Sequence, residues 1–66
     1  MSCEEIREYC LGLLSYKLRV EVRLKNVREV MFGKIASVDD ERFQLVCDDQ
    51  TVQQLRFAWV ARIKNA

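Results

Sequence analysis

The chain has 66 residues, half of them apolar and 32% charged, which is the composition of one small globular domain and excludes a disordered chain. Eleven lysines and arginines against ten acids leave a net charge of +1, so the molecule as a whole exerts no strong pull on a polyanion. No apolar run approaches the ~20 residues of a membrane helix. Glu4, Glu5 and Glu8 stand where a secretory leader would be basic, so the expectation is a cytoplasmic protein with no membrane partner.

The chain begins with a helix signal. Ser2 and Glu5 have the spacing of a capping box, and Ile6, Tyr9, Cys10, Leu13 and Leu14 then recur on one helical face. The helix is expected from about Cys3 to Ser15, with Glu4, Arg7 and Glu8 on its opposite side. The period then changes to two. Leu18, Val20, Val22 and Leu24 alternate with Arg19, Glu21 and Arg23, the pattern of a half-buried strand. Lys25-Asn26 reads as a turn, with Asn26 suited to a left-handed conformation. A second strand is expected over Glu29 to Ser37, interrupted by Gly33, and glycine inside a strand marks a bulge, a bend or a close backbone approach. After the acidic turn Asp39-Asp40-Glu41 come a third strand, Phe43 to Cys47, and another turn at Asp48-Asp49-Gln50. Val52 to Phe57 reads as a fourth strand, Ala58-Trp59 as a corner, and Val60 to Lys64 as a fifth.

One helix followed by five short strands without proline predicts a mainly β domain, a strongly bent five-stranded antiparallel barrel over about residues 17–64. Gly33 is the expected hinge. The first and last strands of such a barrel keep exposed edges that invite pairing between copies.

A domain this small buries only ~60% of its unfolded surface and needs help from disulfides, metal or association. Cys3 and Cys10 are separated by roughly 10 Å of helical rise, beyond the ~7 Å limit of a disulfide. Cys47 is alone on a strand, and there is no histidine to complete a zinc site. The thiols are therefore expected to be reduced and packed, with no metal and no cofactor. Association remains as the source of extra stability. The same absences argue against an enzyme: no histidine serves as acid or base, no cysteine has a base beside it, and two glycines are too few for a phosphate-cradling loop.

Charge is unevenly distributed. Between Lys17 and Arg28 five cations face one acid, Glu21, whereas Asp39, Asp40, Glu41, Asp48 and Asp49 form two acidic turns. On opposite faces, these would leave one surface able to meet phosphate; otherwise the surface is simply of mixed sign. Phe43 reads either as core or as a stacking surface, and Trp59 as an anchor of core or interface or as an exposed platform. Arg56, between Leu55 and Phe57, alternates outward.

Gly33, Ile35, Asp39 or Asp40, Phe43 and Gln44, followed by Leu55-Arg56-Phe57, Val60 and Ile63, resemble the two motifs of the Sm/LSm family, of which bacterial Hfq is a member. The similarity covers the region from Leu11 to Ile63. It implies an Sm-like (SH3-like) barrel whose copies join strand four to strand five in a homo-oligomeric ring that binds single-stranded RNA in post-transcriptional regulation. Carried over by position, Phe43 would stack on a base, Gln44 would read its edge and Arg56 would cover the pocket, with Asp40 in the adjoining acidic turn. The chain departs from the family in having Phe57 where Sm proteins carry glycine, and Phe57-Ala58 where Hfq has a lysine-histidine pair. A second resemblance, carried by Cys3-Glu4-Glu5, Cys10 and Leu55-Arg56, is to Rof, an inhibitor of the Rho termination factor with an Sm-like barrel. It implies a protein-binding regulator whose acidic turns engage a basic partner.

Overall fold

A computed structural model describes residues 2–66. Helix α1, Cys3–Leu14, starts with the capping box that its sequence specifies. The Ser2 hydroxyl accepts the Glu5 N–H at 3.2 Å and the Glu5 carboxylate accepts the Ser2 N–H at 3.1 Å. Two of the backbone donors that every helix start leaves open are thereby satisfied. Ile6, Cys10 and Leu13 are buried, and Tyr9 and Leu14 pack at the margin of the same stripe. After Leu14 the chain is turned by Lys17, held at φ 53°, and enters the sheet.

Five antiparallel strands follow: β1 Arg19–Leu24, β2 Val30–Val38, β3 Arg42–Cys47, β4 Val52–Arg56 and β5 Val60–Asn65. Asn26 makes the first turn at φ 62°, the left-handed position foreseen for it. The strands lie in the order β4-β3-β2-β1-β5. This is one open sheet: β4 and β5 are its two outer strands and do not pair with each other, so the closed barrel expected from the strand count is not formed within the described residues. Residues 57–59, expected as the end of strand four and a corner, form a short 3-10 turn, Phe57–Trp59.

The sheet bends by two one-residue register shifts. Along β2 and β3, Ile35 faces Leu45 but Ser37 faces Gln44, so Ala36 is the extra residue. Along β1 and β5, Arg23 faces Arg62 but Leu24 faces Val60, so Ala61 is the extra residue. Bulges of this kind increase the local twist and let the strand change direction. The bend expected at Gly33 therefore sits three residues later. Gly33 does something else: a Cβ built there would lie 2.2 Å from the Val46 carbonyl oxygen and 2.8 Å from Cys47 Cα. The missing side chain is what lets β2 and β3 approach so closely.

Inside the bend a single cluster gathers Val20, Val22, Ile35, Phe43, Leu45, Leu55, Val60 and Ile63 from all five strands, Phe57 from the corner, and the buried face of α1. Helix α1 lies chiefly on β2, with smaller contacts to β5 and the corner. Tyr9 fastens its far side by donating to Asn65 Oδ1 at 2.8 Å. No helix among the described residues is long and apolar enough to cross a membrane.

On the solvent side of the sheet, Arg19 ties three elements together. Its guanidinium carbon stands 4.7 Å from the centre of the Phe32 ring on β2, and its Nε lies 3.1 Å from each carboxylate oxygen of Asp48 in the turn after β3. That guanidinium holds the Asp48 carboxyl below its usual value, chiefly by hydrogen bonding and then by charge. Asp49 is lowered by the Thr51 hydroxyl and N–H, and Glu5 by its bonds to Ser2.

Two predictions follow from these contacts. Gly33→Ala is expected to destabilise the fold by about 1–3 kcal/mol in urea, because the neighbours at risk are backbone atoms that cannot rotate away; an unchanged midpoint would contradict the close approach. Asp48 has a folded pKa below its unfolded one, so its contribution is present above the unfolded value near 3.8 and is lost as pH falls through the depressed folded value. Asp48→Asn should therefore lower the urea midpoint at pH 7, and the difference from wild type should shrink as pH falls through the depressed folded value.

Candidate nucleic-acid interface

Alternation along the strands sorts charged from apolar side chains. The strands carry seven cations, Arg19, Arg23, Lys34, Arg42, Arg56, Arg62 and Lys64, all exposed on the outer side, and one acid, Glu21. The other acids lie on α1 (Glu4, Glu5, Glu8) and in the connections (Glu29, Asp39, Asp40, Glu41, Asp48, Asp49). The strands thus carry most of the cations, and the helix and connections most of the acids, although the net charge is close to zero. Only two of the seven strand cations form an ion pair among the described residues: Arg19 with Asp48, and Lys64 with Glu21 at 3.4 Å.

The outer side of β3 and β4 gathers several donors. Register puts Arg42 directly opposite Arg56, Phe43 opposite Leu55, and Gln44 opposite Gln54. Gln44 and Arg56 are therefore diagonal neighbours on one face, with Arg42 and Gln54 completing the set. The bulge at Ala36 brings Ser37 opposite Gln44, and the Ser37 hydroxyl donates to Gln44 Oε1 at 3.3 Å. With its carbonyl end engaged, Gln44 brings an NH₂ donor to this face. Two guanidinium groups and an amide NH₂ on one face suit a ligand rich in acceptors, such as a phosphodiester or the carbonyl edge of a base. A shallow hollow beside this patch is lined by Arg42, Gln44 and Gln54 on one wall and by the acidic turn from Asp39 to Glu41 on the other.

The four residues expected to form an RNA pocket are only partly assembled. Gln44 and Arg56 meet as just described; Asp40, Phe43 and Gln44 all border the hollow, and Arg56 does not. Phe43 is on the opposite side of the sheet, 1% exposed, with its ring stacked on Phe57 at a centroid separation of 5.5 Å. A ring buried in this way offers no surface to a base, so the core reading of Phe43 is the one the fold realises. The cause is period two: if Gln44 faces water, Phe43 faces the core. Phe57 takes up the space against Phe43, which accounts for a bulky residue where the family resemblance had glycine. Asp40 lies in the turn, with its carboxylate 96% exposed and 3.4 Å from Arg7 Nη2 of α1. An ion pair this exposed contributes little.

Arg42 and Gln54 were not foreseen as members of the patch. Each lies two residues before a residue that was, so alternation carried the signal once strand pairing was known. Trp59, left open between anchor and platform, is 50% exposed, and Tyr16 is more exposed still. No group of three histidines, cysteines or acids among the described residues is placed to hold a metal ion.

The cysteines differ from one another. Cys3 is exposed, Cys47 half-buried and Cys10 buried, so the expectation of packed thiols holds fully for Cys10 alone. Burial pushes the Cys10 thiol up to about 12, which leaves it without thiolate at neutral pH. Comparison with protein-family models and with curated proteins finds no match to this chain.

A thiol-reactive dye should accordingly label Cys3 at once, Cys47 more slowly, and Cys10 only when the chain is unfolded in denaturant. Labelling of Cys10 in native buffer at the rate of Cys3 would mean that α1 does not stay docked on the sheet.

Proposed function

We propose that this chain is an Sm-like RNA-binding protein. In this reading its copies join at the outer strands β4 and β5 into a ring, completing the barrel-like sheet between subunits, and single-stranded RNA runs along the outer face of β3 and β4. The observation that carries the reading is the pair of arginines, Arg42 and Arg56, directly opposite one another with no carboxylate partner among the described residues and with Gln44 beside them. Like charges facing each other across two strands cost stability. A phosphate between them removes that cost and accepts the hydrogen bonds both groups have to give.

The roles shift from those implied by the family motifs. Phe43 supports the site from beneath, holding β3 so that Arg42 and Gln44 face outward. Arg42 and Arg56 hold the backbone, and the Gln44 NH₂ group meets an acceptor on a base or sugar. One such contact is weak. Repeated around a ring, the contacts act on one strand and gain through effective concentration. Two outer strands, each with one edge unpaired among the described residues, in a domain too small to bury much surface, supply the physical reason for association.

Light scattering at micromolar concentration should give a mass several times that of the chain. Arg42→Ala and Arg56→Ala should each weaken binding of a short oligouridine several-fold. Each should also reduce the salt dependence by about 0.7 in the log–log slope, the loss of one phosphate contact on a single strand. A monomer that ignores RNA would overturn the proposal and favour the protein-binding reading, in which the acidic turns Asp39-Asp40-Glu41 and Asp48-Asp49 meet a basic partner.

A further inference from the structure

The corner between β4 and β5 carries a feature that the β3–β4 site does not use. Phe43 and Phe57 are buried and Phe32 lies under Arg19, but Trp59 is half exposed. Its place is fixed by backbone: the Lys25 N–H donates to the Trp59 carbonyl at 2.8 Å, fastening the β1–β2 turn to the corner. Beyond that bond β1 and β5 run away as a pair, Leu24 facing Val60 and then, past the extra residue Ala61, Arg23 facing Arg62.

Arg23 and Arg62 repeat the arrangement seen at the other end of the sheet. Both are exposed, they are directly opposite in register, and neither forms an ion pair among the described residues. Lys25 and Arg28 in the adjoining turn add to them, against the single acid Glu29. Folding gains nothing from facing arginines or from an indole left in water. Together they match a polyanion that carries flat rings. Single-stranded nucleic acid is such a ligand: bases stack on exposed aromatics whatever their sequence, and cations follow the backbone. Two copies of the chain meeting through this surface would set Arg23 and Arg62 against their own images, which the charge disfavours.

We infer that the Trp59 corner, with Arg23 and Arg62, is a second contact for single-stranded nucleic acid, with a base stacked on the indole and phosphates held by the two arginines. This contact stands apart from the β3–β4 site, because different strands and different side chains form it.

Trp59 is the one tryptophan in the chain, so its emission reports on the surroundings of this corner and not on the β3–β4 site. Short oligouridine and oligoadenine should quench it saturably in the wild type, and the quench should persist in Arg42→Ala and Arg56→Ala at higher RNA concentration. Anisotropy of labelled RNA reads total binding in parallel. Trp59→Ala should weaken that binding about 5- to 150-fold, the range of one lost stack, with Trp59→Phe recovering much of it. Arg23→Gln with Arg62→Gln should weaken it several-fold and lower the salt slope by about 1.4. RNA binding that leaves the emission and these variants unaffected would overturn the inference and leave the β3–β4 site standing.

Discussion

The outward face of this sheet is decided by a side chain that never reaches it. Phe43 packs its ring on Phe57, joining the middle of the sheet to the corner between β4 and β5. With that ring inside, period two sends Arg42 and Gln44 outward, and the pairing of Phe43 with Leu55 sets Arg56 opposite Arg42 and Gln54 opposite Gln44. Slipping β3 by one residue would turn Gln44 and the charge of Arg42 toward the core, a heavy cost for a domain this size. Core packing and surface chemistry are two faces of one register.

The same dependence explains the bulges. Ile35 and Val38 both face inward although they are three apart, an odd spacing that strict alternation forbids. The extra residue Ala36 absorbs the difference, and in doing so turns Ser37 outward against Gln44. Val60 and Ile63 show the identical spacing on β5, with Ala61 as the extra residue and Arg62 turned outward against Arg23. In both cases an alanine takes the unpaired position, and the next polar residue gains a cross-strand neighbour. Sheet curvature and the layout of the donor-rich surface therefore arise from the same two insertions.

Electrostatics follows the architecture. The acids sit where backbone N–H groups or hydroxyls are free to meet them: at the start of α1, where Glu5 bonds Ser2, and in the turn where Asp49 bonds Thr51. The strands, with most of their backbone donors committed to the ladder, carry seven of the eleven cations. A chain with net charge +1 thus separates its charges by element type, and the resulting outer face has a local sign that the sum conceals.

Much of this was legible from residue order. The capping box, the apolar stripe of α1, the alternation of β1 and the left-handed Asn26 are local, each set by contacts within a few residues, and each is realised as written. So is the outward position of Arg56, which needs only its neighbours Leu55 and Phe57. What residue order left undecided was whatever depends on a partner distant in the chain. Whether Phe43 stacks on a base or on Phe57, whether Gly33 bends the strand or lets β3 approach it, and which cations stand face to face are questions of register between strands. Register is settled only when the whole core closes at once, because no single strand can tell which of its neighbours will fill the space beside it.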